Sequence, residues 1–137
     1  MNSGLERLVY ESRATGSTGS LVNLATILAE SQRNNDRDGL TGALAAHNER
    51  YVQVIEGRPA SLDNLLRRLQ SDPRHCELHI IDREPIRERL FDGWSMASAR
   101  ITPAQGDALD HLKQRGELTA QQTIRILLDA LNPPAAN

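Results

Sequence analysis

Two polar side chains, Tyr10 and Gln53, stand where the local patterns predict burial in a sheet. Gln53 is at the centre of Tyr51–Gly57, a β-branched run closed by glycine that is typical of a strand. Side chains alternate across a strand, so Tyr51, Gln53 and Ile55 share one face. A buried primary amide brings two donors and two acceptor sites, and can therefore both accept and pass on a proton. The alternative is a structural glutamine that bonds to backbone or to a buried water.

A second set of polar groups follows the edges of two predicted amphipathic helices. Apolar residues recur at helical spacing over 21–33 and again from Leu62 to Leu69, between Pro59 and Pro73. The facing edges would carry Ile27, Ser31, Asn34 and Asn35 on the first helix and Arg68, Leu69 and Asp72 on the second. Apolar walls with a few polar groups at the rim suit a flat heteroaromatic ligand.

Each of these groups also has an ordinary structural explanation. Asn34 and Asn35 are suited to capping the first helix, and Arg68 and Asp72 to a surface ion pair four residues apart. Trp94 and Met96 fit a packed core equally well. These explanations account poorly for all the groups meeting at one place.

The elements that position these residues follow the order βαββαββαα. Strands are predicted at 5–11, 40–46, 51–57, 77–84 and 90–100, and C-terminal helices at 103–115 and from Thr119. Two crossover helices on one face of a sheet give an α+β fold of ferredoxin-like type, and the C-terminal helix pair is expected to cover the other face. The last strand would point Trp94 and Met96 the same way. We expect a core at 1–100 and a helical cap or output segment at 101–137.

Composition excludes several classes of protein. The 137 residues are 39% hydrophobic and 25% charged, with a net charge of −2, as in a globular protein of one domain. Acids and bases are interspersed, which argues against a nucleic-acid surface, and no apolar run reaches the roughly 18 residues that would span a bilayer. The single cysteine, Cys76, and the lack of a signal-peptide pattern lead us to expect the cytoplasm.

Taken together, five ordered motifs strongly resemble the BLUF domains, the blue-light sensors that use flavin. They are Leu8-Val9-Tyr10-Glu11-Ser12, Ser31-Gln32-Arg33-Asn34-Asn35 with Gly39-Leu40-Thr41-Gly42, Gln53-Val54-Ile55-Glu56-Gly57, Asp72-Pro73-Arg74-His75 and Trp94-Ser95-Met96. The resemblance covers roughly residues 5–100.

The resemblance implies a flavin, expected to be FAD, although FMN and riboflavin share the ring, held between the two crossover helices. By it Tyr10 matches the redox tyrosine, Gln53 the switching glutamine and Asn35 the asparagine that pairs with the ring. The other implied contacts are Asn34, Arg68 and Asp72, the sandwiching Ile27 and Leu69, and, more weakly, Arg74 and His75 toward the ribityl phosphate.

The function that follows is a light switch rather than an enzyme, with no metal. Excitation would draw an electron and a proton from Tyr10, and Gln53 would relay the proton and change its hydrogen bonds. The strand with Trp94 and Met96 and the C-terminal helices would then signal to a protein effector in trans, or through a homodimer or larger homo-oligomer.

Two other functions remain open at the level of sequence. An acylphosphatase-like hydrolase would need an anion cradle, for which Thr15–Ser20 with Arg13 is a faint match. A chromophore-free interaction module would leave the slot without a ligand. A flavin absorption spectrum of the purified protein separates both from the sensor.

Overall fold

The computed structural model describes residues 4–15, 21–73 and 75–131, with only the backbone described for 21–24 and 75. In chain order the elements are β1 (Leu5–Ala14), α1 (Leu21–Asp38), β2 (Thr41–His47), β3 (Arg50–Gly57), α2 (Pro59–Ser71), β4 (His75–Ile86), β5 (Ala97–Ser98), α3 (Pro103–Gln114) and α4 (Ala120–Leu131). The predicted order βαββαββαα is confirmed. None of the described helices is long and apolar enough to cross a bilayer.

The five strands form one mixed sheet in the order β4-β1-β3-β2-β5. β3 lies at its centre, antiparallel to both β1 and β2, and β5 adds a short parallel edge beside β2. Asn48 and Glu49 both have positive φ in the β2–β3 turn, as a two-residue turn between twisted strands requires. Asn48 and Glu49 therefore form a tight hairpin turn between β2 and β3.

Alternation along β1 and β3 divides the core into two layers. Leu8, Tyr10 and Ile55 face α1 and α2, with Leu62 and Leu65 of α2 packed against them. Val9 and Val54 face the opposite way, against Ile124 and Leu127 of α4. We call these the helix-pair face and the C-terminal face of the sheet. The two crossover helices and the covering C-terminal pair thus lie where the sequence placed them.

The C-terminal end of α1 lies further along the chain than the sequence predicts. α1 runs through Asn34 and Asn35 to Asp38, five residues beyond its predicted end, and closes at Gly39, whose φ is +71°. The Leu40 N–H donates to the Asn35 carbonyl, as in a Schellman motif. The interpretation of the two asparagines as a cap is therefore wrong, because both are inside the helix.

Helix α4 begins with a capping box. The Gln122 N–H donates to Thr119 Oγ1, and the Thr119 N–H donates to Gln122 Oε1. α3 begins with a second capping box, between Thr102 and Gln105. Both helices therefore have well-defined N-termini.

Position 42 requires glycine because the backbone of β3 comes very close to it. A Cβ added to Gly42 would lie 2.0 Å from the Val54 carbonyl oxygen, so no side chain fits between β2 and β3 at this point. The second glycine of the Gly39-Leu40-Thr41-Gly42 motif therefore serves strand packing, whereas the first serves the helix end.

Leu62 is fully buried between α2 and the sheet, and its truncation leaves a cavity. Leu62→Ala should lower the free energy of unfolding by about 2–5 kcal/mol, measured by urea denaturation. Leu66→Ala, at a half-buried position of the same helix, is the control and should cost clearly less. Equal losses for the two variants would contradict the packing described.

Candidate functional site

A cavity of about 240 Å³ opens between α1 and α2 on the helix-pair face. Concave sites between helices are common places for small molecules to bind. It is lined by the predicted residues Ile27, Ser31, Asn34, Asn35, Gln53, Arg68, Leu69, Asp72 and Met96, and also by Glu30, Leu44, Tyr51 and Leu65. The residues that the sequence analysis placed on two facing helix edges therefore do meet.

Tyr10 and Gln53 lie beside each other beneath this cavity. They are register partners on the adjacent strands β1 and β3, as the mechanism in the sequence analysis requires. The Tyr10 side chain is fully buried, and its hydroxyl finds no hydrogen-bond partner among the described residues. Unlike Gln53, Tyr10 is not part of the cavity lining. The phenol thus lies behind the amide.

Burial controls the acidity of Tyr10. Loss of water around the hydroxyl raises the pKa of Tyr10 far above its ordinary value, and the negative charge of Asp72 raises it further. The phenol therefore keeps its proton at neutral pH and up to at least its ordinary pKa near 10.

Gln53 has an unusual hydrogen-bond partner. Its Nε2 donates to the Met96 sulfur over 3.6 Å, and both side chains are more than nine-tenths buried. A thioether is a weak acceptor, so this bond holds the amide loosely compared with a bond to a carbonyl. The Gln53 amide is therefore oriented within a buried site, but little free energy is lost when it leaves the Met96 sulfur for another partner.

Met96 is positioned by the polar side chains of α1. Asn35 Nδ2 donates to the Ser95 carbonyl over 2.7 Å, and Gln32 Nε2 donates to the Met96 carbonyl over 3.0 Å. Asn35 thus lines the cavity and also holds the chain beside it. Gln32 belongs to the Ser31–Asn35 motif, and no local pattern in the sequence predicts this bond.

The predicted strand at 90–100 is wrong for most of its length. Only Ala97–Ser98 is β-strand, and the preceding residues form turns and bends. Trp94 and Met96 consequently do not point the same way. Met96 lies at the cavity with Gln53, whereas Trp94 packs with the C-terminal face, its ring centroid 6.4 Å from that of Phe91.

At the cavity rim, Arg68 pairs with Asp38 rather than with Asp72. Arg68 Nη1 donates to Asp38 Oδ2 over 3.0 Å, which overturns the prediction of a surface pair four residues apart. A hydrogen bond from Arg37, followed by one from Arg68, lowers the pKa of Asp38. The other terminal nitrogen, Arg68 Nη2, is buried with no partner among the described residues.

Two predicted contacts fall where the structure gives no side chain. Arg74 and the side chain of His75 lie outside the described residues, as do most of the residues of the anion cradle considered for a hydrolase. Of that cradle, Arg13 is largely exposed, and its Nη1 lies 3.9 Å from Glu77 Oε1.

The lining fits a flat ring with polar edges. Leu44, Leu65 and Leu69 supply apolar surface, and amide, hydroxyl and carboxylate groups stand around it. The guanidinium nitrogen of Arg68 without a partner is a buried donor, which costs free energy unless something accepts from it. A bound heteroaromatic group with carbonyl or phosphate oxygens would satisfy that donor, so the residues present fit a flavin.

The fold and the cavity together fit a domain that binds a planar cofactor between two crossover helices. A family model described as sensors of blue light using FAD, the BLUF domain, matches residues 5–97. The chain belongs to this family of blue-light sensors. Members of the family bind flavin.

Similar proteins include subunits of photoactivated adenylate cyclases, which are much longer than this chain. Photoactivated adenylate cyclase subunit beta is 33% identical over 96 residues in Euglena gracilis and 33% over 99 residues in Euglena longa. These matches take in 69% and 72% of this chain but 11% of each relative. The chain therefore spans about a tenth of the length of the curated relatives it matches.

Two of the similar solved structures each match at least nine-tenths of this chain. The dark-state structure of BlrB, a BLUF protein, is 30% identical with a TM-score of 0.74, covering 96% of this chain and 97% of that one. A bacterial light-regulated adenylyl cyclase is 27% identical with a TM-score of 0.70, covering 90% of this chain and 39% of that one.

The raised pKa of Tyr10 makes stability depend on alkaline pH. The unfolded phenol ionises near pH 10 and the folded one does not, so this contribution is complete below pH 10 and is lost as pH rises above it. Between pH 8 and 11 the wild type should lose roughly 1 kcal/mol of unfolding free energy more than Tyr10→Phe. Urea titrations of both proteins measure this, and parallel pH profiles would contradict it.

Proposed function

We propose that light exchanges the hydrogen-bond partners of Gln53, and that the loss of its contact with Met96 is the signal. The observation that supports this most directly is the weak bond from Gln53 Nε2 to Met96 Sδ, beside a buried phenol without a partner. The switch makes and breaks no bond permanently, so we propose that the chain acts as a sensor and not as an enzyme.

The cavity residues are proposed to hold FAD. Ile27 and Leu69 would pack on the two faces of the ring, and polar groups of Ser31, Asn34, Asn35, Arg68 and Asp72 would meet its edges and side chain. Arg74 and His75 are proposed as contacts to the phosphate side. When bound, the flavin supplies the absorption of blue light and a strongly oxidising excited state.

Tyr10 is the proposed donor of both an electron and a proton. Its raised pKa keeps the phenol neutral before illumination, so the proton leaves only once the electron has gone. Gln53 lies directly alongside, and its amide can accept the proton at Oε1 and release one from Nε2 toward the bound cofactor, which would take up the electron. Once the electron and the proton have returned to Tyr10, Gln53 would again be an amide and could settle in a new orientation, in which it no longer donates to Met96.

The route to the output follows the backbone from Met96. β5 comes directly after it, pairs with Ala43 and Leu44 of β2, and leads through the Ala99 N–H bond to the Leu44 carbonyl toward α3. We propose residues 1–100 as the sensor core and 101–137 as the output segment. Only two residues of β5 pair with the sheet, so a small displacement of Met96 suffices to move this connection.

The partner of the output is proposed to be a separate protein. The relatives named as cyclase subunits are about nine times longer than the part that matches this chain, and we infer that their cyclase activity lies outside that part. The C-terminal helices, which cover the far face of the sheet, are the surface that such an effector would contact.

The first test is Gln53→Leu, which removes both the donor and the acceptor at the cavity. The purified variant should remain yellow but show no light-induced red shift in its absorption spectrum, because no amide is left to exchange partners. Gln70→Leu, the same change at an exposed position of α2, should behave as wild type. A normal shift in Gln53→Leu would refute the proposed switch.

Met96→Ala tests the coupling separately from the photochemistry. The shift should be nearly intact, since Tyr10 and Gln53 remain, but the light-induced change in the C-terminal helices should be lost. Hydrogen exchange at 103–131 in dark and lit samples measures this response. A wild-type difference between dark and light in the variant would contradict signalling through Met96.

A further inference from the structure

Glu56 is a fully buried carboxylate on the C-terminal face of the sheet, turned away from the cavity. Arg7 Nε lies 2.8 Å from Glu56 Oε2, and the backbone N–H groups of Leu90 and Phe91 donate to its two oxygens over 3.0 and 2.8 Å. A buried charge is tolerated only when donors surround it. Two of these three donors belong to the irregular segment between β4 and β5.

Arg89 ties the same segment to the sheet a second time. Its Nη1 donates to Thr41 Oγ1 and to the Glu56 carbonyl, over 2.9 and 3.1 Å, and its Nη2 donates to the Gly39 carbonyl over 2.9 Å. The guanidinium thus joins the segment to the ends of α1, β2 and β3. We call residues 89–96, held in this way, the strap.

The other end of the strap reaches the cavity. The Gly42 N–H donates to the Trp94 carbonyl over 2.9 Å, and Asn35 and Gln32 hold the two carbonyls that follow. Between the two ends the chain has no helix or strand of its own. The position of the Met96 sulfur is therefore set by hydrogen bonds at both ends of the strap. Glu56 accepts two of the bonds at the end that lies away from the cavity.

We propose that Glu56 is a positioning residue for the light switch, which holds the strap so that Met96 stays within reach of Gln53. This inference rests on the proposed function. With the anchor weakened, the strap spends less time in the position that offers the sulfur to the amide. After illumination the Gln53 amide then meets the Met96 sulfur less often, so the thermal return to the dark state is slower.

The experiment measures dark recovery after a blue flash in Glu56→Gln. Glutamine keeps the shape but presents an NH₂ group where an oxygen accepted, so at least one donor loses its acceptor. The variant should bind flavin and show the usual shift, because Glu56 does not line the cavity. Recovery should be at least fivefold slower, and amide exchange at 90–97 in the dark at least tenfold faster, than in wild type.

Glu84→Gln is the matched control for the carboxylate. Glu84 lies 3.8 Å from the same Arg7 but is largely exposed, so recovery and amide exchange should both stay within twofold of wild type.

Arg89→Gln gives a second reading if Glu56→Gln does not fold. Arg89 is only partly buried, and its loss frees the same strap, so recovery should slow in the same direction. Its control is Arg83→Gln, which also removes three partners, Glu6, Asp63 and the Pro59 carbonyl, but from β4 instead of the strap. Arg83→Gln should leave the recovery rate within twofold of wild type.

Recovery within twofold of wild type, or faster, in folded and photoactive Glu56→Gln or Arg89→Gln would overturn the inference while leaving the Gln53 switch standing. Equal slowing in the two controls would also overturn it, because the effect would then follow from lost stability alone. A wild-type protein without any light-induced shift would refute the proposed function and this inference with it.

Discussion

The contact between the Gln53 amide and the Met96 sulfur is the constraint around which the site is arranged. A buried amide needs a partner, but a strong one would fix it permanently. A thioether orients the amide while holding it weakly, and it can do so only if the methionine is placed accurately. The bonds from α1 and from the far end of β3 to residues 89–96 provide that placement.

Much of the fold follows from local pattern. Alternation in Tyr51–Gly57 correctly separates the face of Gln53 from that of Val54, and helical spacing places Ile27 and Leu69 at one cavity. These predictions succeed because periods of two and of 3.6 residues fix which side chains are buried together. The adjacency of Tyr10 and Gln53 follows from the strand order of the fold that the elements imply.

The segment before β5 could not be predicted in the same way. Its shape depends on bonds between residues far apart in sequence, such as Asn35 with Ser95 and Glu56 with Phe91, and no local period encodes them. Trp94 and Met96 therefore appeared to share a face. One signal was present in the sequence: Glu56 continues the apolar face of Val52 and Val54, where a carboxylate demands buried donors.

Gln53 and Glu56 are three residues apart on β3 and face opposite sides of the sheet. On the proposed function, changes around Gln53 would alter the environment of the chromophore, whereas changes around Glu56 would alter only the segment that carries Met96. Colour and timing would then be separable traits, open to independent adjustment by natural selection or by protein engineering. A single central strand gives access to both.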